Sequence, residues 1–74
     1  MTINEYKKHI KCYIECYLEG RYTVSECIYV MNKFIDNNTW LIPDINERIT
    51  KQNKLYIYGL DKLSQAIKAT ERRQ

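Results

Sequence analysis

Apolar side chains recur at spacings of three and four along most of this chain, which is the periodicity of one face of an α-helix. Ile3, Tyr6, Ile10, Tyr13 and Tyr17 form the first series, with Ile14 and Leu18 beside them. Thr2-Ile3-Asn4-Glu5 ahead of it is a capping-box pattern, in which hydroxyl and carboxylate satisfy free backbone amides reciprocally. Gly20 behind it can take the left-handed conformation that closes a helix. The pattern predicts a first helix over about residues 3–19. Thr23-Val24-Ser25-Glu26 repeats the capping box, and Val24, Cys27, Ile28, Met31, Phe34 and Ile35 share one face of a second helix. Asp36-Asn37-Asn38 favours turns, because Asn and Asp bond their own backbone, so this helix is expected over about 24–35. So short a link makes the two helices an antiparallel hairpin.

Thr39-Trp40-Leu41-Ile42-Pro43 reads as an apolar connector, with Trp40 and Leu41 expected to seal the end of the hairpin. Asp44 then caps a third helix. Ile45, Ile49, Tyr56, Leu60, Leu63 and Ile67 fall in one narrow stripe, flanked by Gln52, Gly59 and Ala66, and keep phase over more than twenty residues. One long helix over about 45–69 is expected. A break near Gly59 is the alternative, since glycine costs about 1 kcal/mol relative to alanine inside a helix and Leu55-Tyr56-Ile57-Tyr58 is locally β-prone. The tail from Thr70 to Gln74 is expected to fray. The fold class is therefore all-α: a helical hairpin packed on a long third helix, in a single domain.

Three such helices carry more apolar surface than they need. The charged wedge of helix 1 holds only Lys7, Lys8, Lys11, Glu15 and Glu19, so its apolar arc is wider than the usual stripe of a little over 100°. Helix 3, at about 37 Å over 25 residues, outruns its shorter neighbours. Leu55, Ile57 and Tyr58 point away from its main stripe. Contiguous exposed apolar groups mark interfaces, and tyrosine supplies contact area at little entropic cost. Trp40, Leu55, Ile57, Tyr58, Tyr22 and Tyr29 are accordingly the candidate partner or dimer surface, with homodimerisation through helix 3 the expected completion of the fold.

Charge adds a second candidate. The net charge of +3 lies wholly in residues 39–74, since residues 1–38 carry five basic and five acidic side chains. Arg48, Lys51, Lys54 and Lys62 form a strip on helix 3, continued by Arg72 and Arg73, suited to phosphate or to an acidic partner. The exposed face of helix 2 (Ser25, Glu26, Tyr29, Asn32, Lys33) offers a single cation, a poor reader of an anionic duplex if the hairpin is taken for a helix-turn-helix.

Chemistry is sparse. His9, Cys12 and Cys16 share a flank of helix 1, with Cys27 on helix 2, but H-x2-C-x3-C matches no common zinc site, and buried free cysteine is an ordinary core residue. His9 is the one histidine, and only Gly20 and Gly59 are available for a phosphate-cradling loop. No enzyme, metal or cofactor is expected. Three cysteines form no closed disulfide framework, no secretory leader is visible and no apolar run approaches a membrane span, so a reducing, cytoplasmic setting is expected. Abundant Ile, Lys, Asn and Tyr with little Gly, Pro and Ala is the bias of AT-rich genomes, such as those of low-GC bacteria, their phages and plasmids. The expectation is a small protein-binding module of phage or mobile-element origin, an inhibitor or modulator of the anti-defence kind. The rival is a DNA-binding transcriptional or replication accessory protein using the basic strip.

Overall fold

A computed structural model describes residues 2–72. Three helices, α1 (Ile3–Leu18), α2 (Val24–Thr39) and α3 (Ile45–Arg72), pack pairwise against one another in an all-α arrangement. Both capping boxes form. Thr2 and Glu5 exchange bonds of 3.1 and 3.2 Å, and Thr23 and Glu26 bonds of 3.0 and 3.2 Å. Those bonds from Thr2 hold the exposed Glu5 carboxyl below its usual range. Asp44 Oδ1 accepts from the backbone N–H groups of Asn46 and Glu47 and starts α3.

Gly20, at φ +83°, closes α1 in a Schellman motif. The Arg21 amide reaches back to the Cys16 carbonyl at 2.9 Å and the Gly20 amide to Tyr17 at 3.0 Å. The resulting tight reversal makes α2 antiparallel to α1, with Tyr6 meeting Asn38 and Tyr13 meeting Cys27. On α3, Gln52, Tyr56 and Gly59 meet Thr39, Asp36 and Met31 respectively, so α3 is antiparallel to α2 and parallel to α1. Twenty-eight residues of α3 span about 42 Å against about 24 Å for each sixteen-residue partner. The molecule is accordingly a rod of 46 × 19 × 18 Å.

The core is Tyr6, Ile10 and Ile14 from α1, Cys27, Met31 and Ile35 from α2, and Leu55, Leu63 and Ala66 from α3. Four expectations need correction. First, α2 runs on to Thr39, because tertiary bonds outweigh the turn preference of Asp36-Asn37-Asn38. Asp36 accepts from the Tyr56 hydroxyl. Thr39 is fully buried, donating to the Ile35 carbonyl at 2.7 Å and accepting from Gln52 at 2.8 Å. Secondly, Thr39 and not Trp40 or Leu41 closes the end of the hairpin. Those two stand 62% and 71% exposed.

Thirdly, α3 presents a different face to the core, rotated by roughly 60° from the expected stripe at about 100° per residue. Leu55, Gly59, Leu63 and Ala66 point inward, whereas Ile45, Ile49 and Leu60 are 62%, 49% and 49% exposed. The inward-facing Gly59 packs beside Met31 and Ile10, which a Cβ there would meet at ordinary contact distance. The helix is unbroken there. Fourthly, it continues through Thr70, whose hydroxyl bonds the Ile67 carbonyl, to Arg72, so the expected fraying does not begin at residue 70. The rest of that tail, Arg73 and Gln74, lies outside the described residues.

The two glycines should respond oppositely to alanine. At Gly20 a Cβ meets nothing but is forced into the left-handed region, which costs roughly 1–2 kcal/mol. At Gly59 a Cβ sits 3.5 Å from the Met31 sulfur, an ordinary contact, and helix propensity then favours alanine by about 1 kcal/mol. Thermal unfolding followed by circular dichroism should place Gly59→Ala above the wild type and Gly20→Ala below it. A lower melting temperature for Gly59→Ala would mean that this crossing has no room for a methyl group.

Candidate functional site

The parallel arrangement of α1 and α3 opens a groove of about 770 Å³ between the start of α1 and the first half of α3. Ile3, Leu55 and Tyr58 give it an apolar floor. Lys7, Lys51 and Lys54 stand around it, with Asn46, Glu47 and Thr50 at the end nearest the start of α3. Three ammonium groups against one carboxylate leave the lining positive. Several of these cations are held by ring faces, where the aromatic quadrupole attracts them. Lys7 Nζ lies 5.0 Å and Lys62 Nζ 5.8 Å from the Tyr58 ring centre, and Lys51 Nζ lies 5.2 Å from that of Tyr6.

Of the residues expected to carry phosphate or acidic-partner contact, Lys51 and Lys54 therefore line the groove and Lys62 shares Tyr58 with it. Arg48 is half-buried, and its Nε has no hydrogen-bond partner among the described residues. Arg72 is exposed at the far end of α3, and Arg73 lies outside the described residues. Sequence reasoning missed Ile3 and Lys7. The signal was available in the two short connections, which make an up-down-up bundle and so bring the start of helix 1 alongside the start of helix 3.

The expected partner or dimer surface divides. Leu55, 1% exposed, is a core residue, and this corrects its assignment to an interface. Tyr58 and Tyr22 are half-buried and pack against the core. Trp40, Ile57 and Tyr29 are 62%, 69% and 62% exposed, Tyr29 with Lys33 Nζ bonded to its hydroxyl at 3.2 Å. Ile57 belongs with Ile45, Ile49 and Leu60 on an outer flank of α3 that the hairpin leaves uncovered.

The candidate metal ligands differ in exposure. His9 lies against the Phe34 ring, with centroids 4.9 Å apart, Cys12 is exposed and Cys16 half-buried. Cys27 is fully buried with its sulfur 3.6 Å from the Tyr13 carbonyl, and burial pushes its thiol pKa up. No group of three or more potential ligands forms a metal site among the described residues. No helix of the described residues is long and apolar enough to cross a membrane. Comparisons with protein-family models, with curated proteins and with solved structures give no match.

Proposed function

We propose that this chain is a small non-enzymatic protein-binding module that grips an acidic, apolar-anchored segment of another protein. The observation that carries the reading is the α1–α3 groove, in which an apolar floor and three lysines occupy one concavity. An apolar anchor buried on Ile3 and the half-buried Tyr58 supplies affinity, and carboxylates facing Lys7, Lys51 and Lys54 supply orientation and association rate. A helix or extended strand laid parallel to both walls fits the shape of such a groove. Residue usage of the AT-rich kind extends the proposal to a phage- or mobile-element-encoded inhibitor or modulator, such as an anti-defence protein, working in the cytoplasm by occupying a surface of its target.

The test pairs two variants of equal charge. Lys7→Glu/Lys54→Glu reverses the groove, whereas Lys8→Glu/Lys68→Glu makes the same change on exposed positions outside it. Affinity capture from a low-GC bacterial lysate should recover a discrete protein with the wild type and with the second pair, and lose it with the first. Capture that survives groove reversal would sink the reading. So would retardation of duplex DNA at low salt that fades steeply as salt rises, which is the signature of the DNA-binding rival.

A further inference from the structure

We infer that the outer flank of α3 is a two-fold symmetric interface with a second copy of this chain, with Asn53 at the dyad. Taking about 100° per residue, Ile45, Asn46, Ile49, Asn53, Ile57, Leu60 and Ser64 occupy one third of the circumference of α3. All seven are exposed, the four apolar ones at 49–69%. None carries a charge. The nearest charged side chains of this stretch, Asp61 and Lys54 beyond one edge and Arg48 beyond the other, stand about 40–60° outside it, and Lys51 and Lys62 lie around the far side.

That distribution selects the occupant. A charged partner gains nothing from a neutral face, whereas two copies of a protein with net charge +3 meet there without bringing their excess charge together. Symmetry agrees. Ile45, Ile49, Asn53 and Ile57 form an unbroken i, i+4 row, a face able to meet its own copy across a two-fold axis.

Asn53 lies midway between Ile49 and Ile57. A two-fold axis through it sets Ile49 on the partner's Ile57, and Ile57 on the partner's Ile49. It also sets the Asn53 carboxamide, both donor and acceptor, on its own copy. A single polar residue within an apolar helix seam fixes register in this way at some cost in affinity. The interface meets the lysine-rimmed groove only at its Asn46 end, and the groove's lysines lie outside it.

The decisive experiment is disulfide trapping in a Cys12→Ser/Cys16→Ser background, with the buried Cys27 retained. Asn53→Cys should give a covalent dimer under mild oxidation. Ser64→Cys, on the same face but more than two helical turns further on, should not. In sedimentation equilibrium the wild type should be a dimer at micromolar concentration. Ile57→Glu should raise its dissociation constant by at least about thirty-fold with an unchanged helical spectrum, since this side chain is 69% exposed. A wild type that stays monomeric at millimolar concentration overturns the inference. Equal trapping of Asn53→Cys and Ser64→Cys does so too, as does flotation of a monomer with anionic phospholipid vesicles.

Discussion

Leu55→Ala is expected to lower the unfolding free energy by about 2–5 kcal/mol, the range for truncating a leucine in a core that relaxes only partly. The side chain is 1% exposed and belongs to the cluster formed by Tyr6, Ile10, Met31 and Leu63. A domain of this length sits near the bottom of the usual 5–15 kcal/mol of net stability, roughly 5 kcal/mol. The substitution therefore removes much of what holds the fold. The melting temperature should fall by about 10 °C or more, at about 4–8 °C per kcal/mol for a domain this small. Leu55→Glu should leave the chain unfolded, since a buried carboxylate without a partner is costlier still. Two residues on, Ile57→Glu should change the stability of the single chain little when compared at a concentration below dimerisation, because within one chain that side chain is 69% exposed. Urea unfolding followed by circular dichroism compares the three directly. A Leu55→Ala protein within about half a kcal/mol of the wild type, the usual range for surface changes, would mean that α3 packs through another face.

This contrast between neighbours also shows where periodicity runs out. Helix number, the two capping boxes, the Gly20 reversal and the cores of α1 and α2 were legible, because each rests on local chemistry or on a single apolar stripe. α3 carries two such stripes side by side. One holds Ile45, Ile49 and Leu60, the other Leu55, Gly59 and Ala66, and Leu63 serves both. Summed hydrophobicity favours the first. Packing chose the second: Leu55, Gly59, Leu63 and Ala66 are the buried residues of α3, with Met31 and Ile10 beside Gly59. A glycine in a continuous helical pattern pointed to close approach as readily as to a break, and its closeness to Met31 and Ile10 decides between the two.

The same rotation separates the two surfaces assigned to α3. The groove and the isoleucines of the outer flank occupy adjoining sides of the helix, with Lys54 between them, a division invisible while Leu55 and Tyr58 were grouped with Ile57. In the proposed dimer the lysines of both grooves lie outside the seam. Two linked sites convert the second binding step into an intramolecular one, so a paired module suits a target that displays its acidic segment more than once. Thr39, Gln52, Asp36 and Tyr56 were missed altogether as a group. Their bonds connect α2 to α3 across more than a dozen positions of sequence, and polar pairing at that distance leaves no periodic trace.

Those polar links make alkaline pH the second strong lever. The Tyr56 hydroxyl donates to the Asp36 carboxylate, and burial together with that carboxylate pushes its pKa up to about 12, against an ordinary value of about 10. Burial also raises Tyr6, whose hydroxyl donates to the Asn38 carbonyl at 2.6 Å, as well as Tyr13 and Cys27. In every case the folded chain holds a proton that the unfolded chain gives up earlier. Stability from these groups is complete below their unfolded pKa values and is lost as pH rises through the folded ones, because the unfolded state then binds fewer protons. The urea midpoint should accordingly be level near neutrality, fall from about pH 9–10 and collapse toward about 12, where Tyr56 ionises in place. Tyrosinate absorbance should rise in step with loss of helical signal, as it does when ionisation and unfolding are coupled. Tyr56→Phe separates the contributions: it should cost about 1 kcal/mol at neutral pH for the lost hydrogen bond and flatten the fall above about pH 10. A Tyr56→Phe protein whose alkaline profile overlays that of the wild type would remove the Asp36 link from the account and leave the buried Tyr6, Tyr13 and Cys27 to explain the loss.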